Sequence, residues 1–280
     1  MNLESKRPPK PLFRVGRDDD AWAVPDWAYA KEDRTFGNRF DDPAGVHRVL
    51  YASSQRLGCF IETLAPFRVD VSFVADLALM ENCEDDFTAF GTVRKAWIKG
   101  RCIGGANVEG EYAAIYALAW VSHLRLALAG TAVKLGMEDI DLSSLERAEP
   151  RLLTQRAGRI AFEPGYAGAF YHSRYGHSIV NWAIFEDWTM SERFPNRQPN
   201  SRKFTEEDPD LLEALRILGL VIGDCGSNLK QEQGVDECWG DSGTHRDSIV
   251  VQDTSPEWKA ICRCLPETLN RLSEAYCHGQ

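Results

Sequence analysis

Six residues combine side chains that do chemistry with positions where packing does not ask for them: Arg14, Arg39, Tyr51, Glu62, Ser173 and Arg174. Arg39, Tyr51 and Glu62 fall evenly along "GNRFDDPAGVHRVLYASSQRLGCFIETLAPFR", from Gly37 to Arg68, which reads as a loop, a short strand and a helix. Hydrophobic periodicity specifies such a unit, and neither charge takes part in it. An arginine and a glutamate flanking an aromatic have the make-up of a site. Arg14 interrupts the alternating "LFRVG", and Ser173 with Arg174 sits inside "YHSRYG". Taken singly, each has a structural reading. Arg14 would cap a sheet edge, Arg39 pair with Asp41 or Asp42, Tyr51 join the core, Glu62 face solvent, Ser173 make a turn and Arg174 an ion pair.

The elements that must position them are legible in outline. "LFRVG" predicts a strand over Leu12–Val15, ended by Gly16, and "RVLYA" a second over Arg48–Ala52. "SSQRLGCFIETLAPF" predicts a helix capped by Ser53 or Ser54 and ended by Pro66, with Leu57, Ile61 and Leu64 on one face. Glu62 lies one step round from Ile61, and the small residues Gly58 and Cys59 precede it by four and three positions, which leaves space above the carboxylate. "VRKAWIKGRCIG" suggests two strands, and "EYAAIYALAWVSHLRLALAG" a helix apolar nearly all round, hence buried. "RAEPRLLTQRAGRIAFE" reads as a helix after Pro150, and "GAFYHSRYGHSIVNWAIFED" as two strands around a polar turn at Arg174–His177. "FTEEDPDLLEALRILGL" reads as a helix with Thr205 as N-cap and Gly219 near its end. The first ten residues look like a tail, and an amphipathic helix is expected from about Pro256. The fold class is α+β, with a main unit over 11–222 and a loop and helix over 223–280 packing on it.

Composition limits what such a site serves. At 44% hydrophobic over 280 residues, with eight tryptophans, the chain can bury one large core or two smaller ones. A net charge of −10 excludes a broad basic footprint for direct nucleic-acid binding, while leaving room for a local basic pocket for an anionic small molecule. No apolar run reaches the length of a bilayer, and "MNLESKRPPKPLF" lacks a signal peptide's apolar segment, so a soluble cytoplasmic protein is expected. The eight cysteines form no CxxC pair, which predicts reduced, scattered thiols and no metal site. "GRCIGGANVEG" and "GDCGSN" match neither the dinucleotide fingerprint nor the phosphate loop. His172 and His177 lie close to Ser173 without an acid partner at triad spacing, which argues against a serine hydrolase. His47 reads as a loop histidine and His123 as a core one.

The order and spacing of the whole set resemble the RES family, the toxins of RES–Xre toxin–antitoxin pairs, whose fold is similar to ADP-ribosyltransferases. "LFRVG" looks like the family's first strand with Arg14 on its arginine. "GNRFDDP…RVLYASSQRLGCFIETL" is similar to its Gly-rich turn, tyrosine strand and glutamate helix, with Arg39, Tyr51 and Glu62 on the motif positions. "GAFYHSRYGHSIVNWAIFE" is similar to its "GxxYxSR…NxAxFE" segment, with Ser173 on the serine. Asn38 stands where a second glycine is common, and Phe170 where a polar or basic residue often occurs.

The resemblance implies an ADP-ribosyltransferase-like core of short strands in a split or mixed sheet surrounded by helices. It implies an enzyme that cleaves the nicotinamide–ribose bond of NAD, as substrate rather than cofactor and without a metal. Glu62 would then stabilise the developing ribosyl cation, Arg14 and Arg39 grip the pyrophosphate, Tyr51 wall the nicotinamide, Ser173 orient it, and Arg174 add an anionic contact. Water, phosphate or a protein side chain would each serve as acceptor, and a non-catalytic nucleotide-binding module stays open beside them. The resemblance further implies an Xre-type antitoxin and a homodimer, whose contact is expected on the helix after Pro256.

Overall fold

The structure is a computed structural model that describes residues 3–72, 91–147, 149–186 and 201–223. Its strands are β1 (Ser5–Lys6), β2 (Leu12–Arg17), β3 (Val49–Ser53), β4 (Gly91–Arg94), β5 (Arg101–Ala106), β6 (Tyr112–Ala113), β7 (Gly168–Ser173), β8 (Gly176–Phe185), β9 (Ser201–Lys203) and β10 (Leu220–Gly223). Eight of them form one mixed sheet in the order β1-β6-β7-β8-β3-β2-β5-β9, and β4 pairs in parallel with β10 in a separate sheet. The helices are α1 (Arg56–Leu64), α2 (Lys95–Lys99), α3 (Leu118–Ala127), α4 (Ala129–Lys134), α5 (Leu142–Glu146), α6 (Arg151–Phe162) and α7 (Pro209–Leu218). This is an α+β fold. No described helix is long and apolar enough to cross a membrane.

The sheet register decides which side chains share a face. Phe13, Ser53, Asn181 and Tyr171 are directly paired across β2, β3, β8 and β7, so all four point to one side. That side carries two apolar clusters. One gathers Val49, Tyr171, Ala183 and Phe185 with Trp120 and Leu124 of α3 and Leu153, Ala157 and Ala161 of α6. The other gathers Ile103 and Ile179 with Phe60, Ile61 and Leu64 of α1 and Leu211, Leu215 and Leu218 of α7. The opposite face buries Leu12, Leu50, Ala52, Cys102 and Trp182 under Ala21 and Trp22 of the loop after β2. Along β8 the helix-side stripe reads Phe185, Ala183, Asn181, Ile179, so the buried amide stands where the two clusters part.

Several local expectations change. Residues 3–10 are tied down rather than a tail: β1 pairs with β6, and the Trp120 indole donates to the Glu4 carbonyl. "VRKAWIKGRCIG" is a strand, the short helix α2 and a strand, because the chain must turn between two different sheets. The stretch read as one buried helix begins as β6, and α3 with α4 packs through one side, leaving Leu118, Leu126 and Val133 about three-quarters or more exposed. An all-round apolar surface says nothing about which side finds a partner. Helix α7 is capped by Asp208 ahead of Pro209, not by Thr205, whose hydroxyl serves the preceding turn, and Gly219 closes it at φ 64°. Helix α1 has Gln55 at its N-cap without a side-chain cap; Ser54 instead accepts from the Trp182 indole at 2.9 Å. His47 is the core histidine, its ring stacked 4.1 Å from Phe162, while His123 is half-buried beside Trp120. The expected helix after Pro256, and all but Gly223 of the proposed 223–280 segment, lie outside the described residues.

Gly58 and Cys59 do not open space above Glu62. Both face the sheet: the Cys59 thiol donates to the Phe13 carbonyl at 2.9 Å, and a Cβ at Gly58 would overlap the Ser53 hydroxyl and sit 2.8 Å from Ile179 Cγ2. The missing side chain lets α1 lie close on β3 and β8. Gly58→Ala therefore combines a gain of about 1 kcal/mol in helix propensity with an overpacking cost of about 1–3 kcal/mol. Because the contact is with a hydrogen-bonded hydroxyl and a branched methyl, we expect net destabilisation, read as a lower urea midpoint. An unchanged or higher midpoint would show that α1 is not seated by that close approach.

Candidate active site

Arg39 is aimed by the turn that precedes it. Gly37 adopts φ 80°, a conformation that favours glycine, and reverses the chain. The Asp41 carboxylate then accepts the Phe36 N–H at 2.8 Å and the Asn38 N–H at 2.7 Å. The Tyr51 hydroxyl accepts the Phe40 N–H at 2.9 Å and lies 3.4 Å from Asp41 Oδ1. Gln155 of α6 donates to the Asn38 carbonyl at 3.2 Å. Burial raises the Asp41 carboxyl above its ordinary value against these donors, and raises the Tyr51 phenol well above its own. The Tyr51 hydroxyl is thus committed to the turn.

From this turn Arg39 reaches away from both expected aspartates. It donates to the Tyr116 hydroxyl at 2.9 Å and to the Leu145 carbonyl in α5, and its guanidinium lies 5.4 Å from the Tyr171 ring centre. Asp42 instead accepts from Ala44, Val46 and Arg159.

Glu62 meets this group from the other side. Its Oε1 accepts a hydrogen bond from Asn181 Nδ2 at 2.7 Å. Asn181 is 1% exposed, and its Oδ1 has no hydrogen-bond partner among the described residues. Its register neighbour Tyr171 feels both charges: burial, then the Glu62 carboxylate, raise its phenol well above the ordinary value, while Arg39 opposes them. Tyr116 is pushed up to about 12, chiefly by burial, with Arg39 lowering and Glu146 and Glu62 raising it. Both phenols therefore stay protonated near neutral pH and serve as donors and ring faces, not as bases.

Ser173 ends β7 at the turn into β8, buried, with its hydroxyl accepting the Tyr175 N–H at 3.1 Å. Arg174 is exposed and stacks over Tyr175 at 4.8 Å rather than entering an ion pair among the described residues. Arg14 is not brought to the group. The register places it with Leu12 on the opposite face of the sheet, where its guanidinium donates to the Ala21 carbonyl and burial lowers its pKa. It anchors the loop after β2 there, and it does not cap a sheet edge, since β2 lies between β3 and β5.

The structure adds Asn181, Tyr171, Tyr116 and Arg151. Arg151 opens α6, where a cation opposes the helix dipole, and pairs with Glu149 at 3.5 Å; burial lowers its pKa against the Glu149 charge, with Arg39 and Arg174 adding to the effect of burial. That misplaced charge was visible in the sequence after Pro150. So was the asparagine interrupting the apolar alternation of "SIVNWAIF". The tyrosines carried no such signal, since a tyrosine in a strand is ordinary core.

If the Tyr51 hydroxyl holds the turn, Tyr51→Phe leaves the buried Phe40 N–H unpaired, at a cost of about 1–3 kcal/mol. Thermal denaturation should show the loss, and an unchanged midpoint would mean that the turn is held by Asp41 alone.

No protein-family model matches the chain, and no curated protein matches it. Among solved structures, the chain is similar to a chain of the M. tuberculosis MbcT–MbcA toxin–antitoxin complex, at 12% identity over 77% of this chain and 90% of that one, with a TM-score of 0.41.

Proposed function

We propose that the protein is an NAD-consuming enzyme that breaks the bond between nicotinamide and ribose. The observation that carries this reading is the Glu62 carboxylate, hydrogen-bonded by buried Asn181 beside the ring of Tyr171 and the charge of Arg39. The motif resemblance supplies the substrate.

When the glycosidic bond breaks, its electron pair leaves with nicotinamide and neutralises the pyridinium. Positive charge then develops on the ribose ring carbon and oxygen, as in glycoside hydrolysis. A carboxylate already held in place stabilises that charge without having to reorganise during the reaction. Glu62 has that role, and Asn181 positions it by donating to one oxygen, which leaves the other for a ribose hydroxyl or the cation. Arg39 fixes Tyr116 and lies over Tyr171, so the aromatic surface falls to those two rings, and Tyr51 supports the turn. Ser173 contributes at the hairpin edge of the cleft. An acceptor then attacks the ribose carbon: water gives ADP-ribose and releases a proton, whereas phosphate gives ADP-ribose phosphate, a product of different mass.

On the same reading, the enzyme works in the cytoplasm, drains the cell's own NAD and is restrained by an antitoxin, with a homodimer as its expected assembly. Uninhibited expression would then arrest growth.

Incubation of pure protein with NAD, with and without phosphate, and mass analysis of the products tests the activity and names the acceptor. Glu62→Gln keeps the shape and removes the charge, so turnover should fall by roughly a hundredfold or more in a protein that still folds. Asn181→Ala should lower kcat more than it raises KM, because the carboxylate survives but is no longer held. Near-normal turnover of Glu62→Gln, in a protein that does consume NAD, would remove the carboxylate from the mechanism.

A further inference from the structure

A second feature adjoins this site. Between the β7–β8 hairpin and the segment after α1 lies a groove of about 460 Å³, lined by Ala65, Arg68, Val69, Asp70, Arg174 and Tyr175, among others. The Tyr175 ring is flanked by two guanidinium groups, Arg174 at 4.8 Å and Arg68 at 6.0 Å from its centre. Both arginines are exposed, and among the described residues neither is paired with a carboxylate. Asp70 is the acid in the groove, and its Oδ1 accepts from the Ser72 N–H and hydroxyl at 2.9 and 2.6 Å.

Two like charges on one ring repel each other, and an aromatic face compensates each by only about 0.5–1 kcal/mol at an exposed position. In a chain of net charge −10, two arginines without a carboxylate partner among the described residues gather at one ring of the groove. Its location links it to the site. Arg174 follows Ser173, and Ala65 lies three residues beyond Glu62, roughly 5 Å along the helix axis. The guanidinium groups first expected to grip phosphate are occupied elsewhere, Arg14 on the far face with the Ala21 carbonyl and Arg39 with Tyr116 and Leu145.

We propose that this groove is the diphosphate subsite of the dinucleotide, with Arg68 and Arg174 as its two grips and Tyr175 as the platform that holds them apart. The assignment rests on the NAD-cleaving reading for its substrate, while its chemistry is that of any nucleoside diphosphate. Planar forks suit paired phosphate oxygens, and two of them match two adjacent phosphates.

Titration of the full chain with ADP by calorimetry, together with NAD kinetics, tests it through Arg68→Gln, Arg174→Gln and the double variant. Each single change should weaken ADP binding about tenfold, and the double change more, with affinity falling as salt rises. For NAD, KM should rise in the same order while kcat stays near wild type. A double variant with wild-type ADP affinity and KM would overturn the subsite and leave the NAD-cleaving reading standing. A wild type that consumes no NAD would sink that reading, and the ADP titration would still decide the groove. ADP binding that is lost in the double variant supports the groove, and a wild type that binds no ADP rules it out.

Discussion

One hydrogen bond joins the two halves of the helix-covered face: Asn181 Nδ2 to Glu62 Oε1, 2.7 Å. Its position follows from a conflict in packing. The buried stripe of β8 calls for an apolar side chain at 181, where full burial of an isoleucine or leucine would stabilise by about 1.5–3 kcal/mol. An amide in that place forgoes the burial and must find partners. It finds one on α1 and leaves its oxygen without one among the described residues. The two apolar clusters stay separate on either side of Asn181, with Tyr171 and Ala183 in one and Ile179 in the other. A fold selected for stability alone would close that seam.

The rest of the architecture serves to bring charge to the seam from opposite directions. Glu62 arrives on α1, which can lie close to the sheet because Gly58 has no side chain. Arg39 arrives on a turn locked by Asp41 and Tyr51 and is stopped by Tyr116 and Leu145. The Arg39 guanidinium lies 5.4 Å from the Tyr171 ring centre, and the Tyr171 phenol responds to both charges.

Much of this was legible in the chain, with a physical boundary to what was not. Alternation located β2, β3, β7 and β8, and helical spacing located α1, α6 and α7, because in each the apolar residues recur at the period of the element. The region from Glu111 to Ala129 failed for the complementary reason: an apolar surface on every side does not say which side is covered. Among the expected site residues, Glu62 reaches buried Asn181 on the helix-covered face, and Arg39 lies beside Tyr171 on that face. Arg14 does not lie there, and only the register of β2 against β3 and β5 could reveal it, since a single step along a strand moves a side chain to the opposite face. The destination of each arginine depended likewise on contacts 77 and 106 residues away in the case of Arg39, which local pattern does not encode.

The separation of Glu62 from its partner has a bearing on synthesis. The two residues are 119 positions apart, and the strand carrying Asn181 pairs with β3 and β7 only after most of the described chain exists. A nascent chain carries the carboxylate for that whole interval with nothing to orient it, and the closure entropy of so long a loop favours late assembly. The contact between Glu62 and Asn181 can form only once β8 has been made and takes its place between β3 and β7.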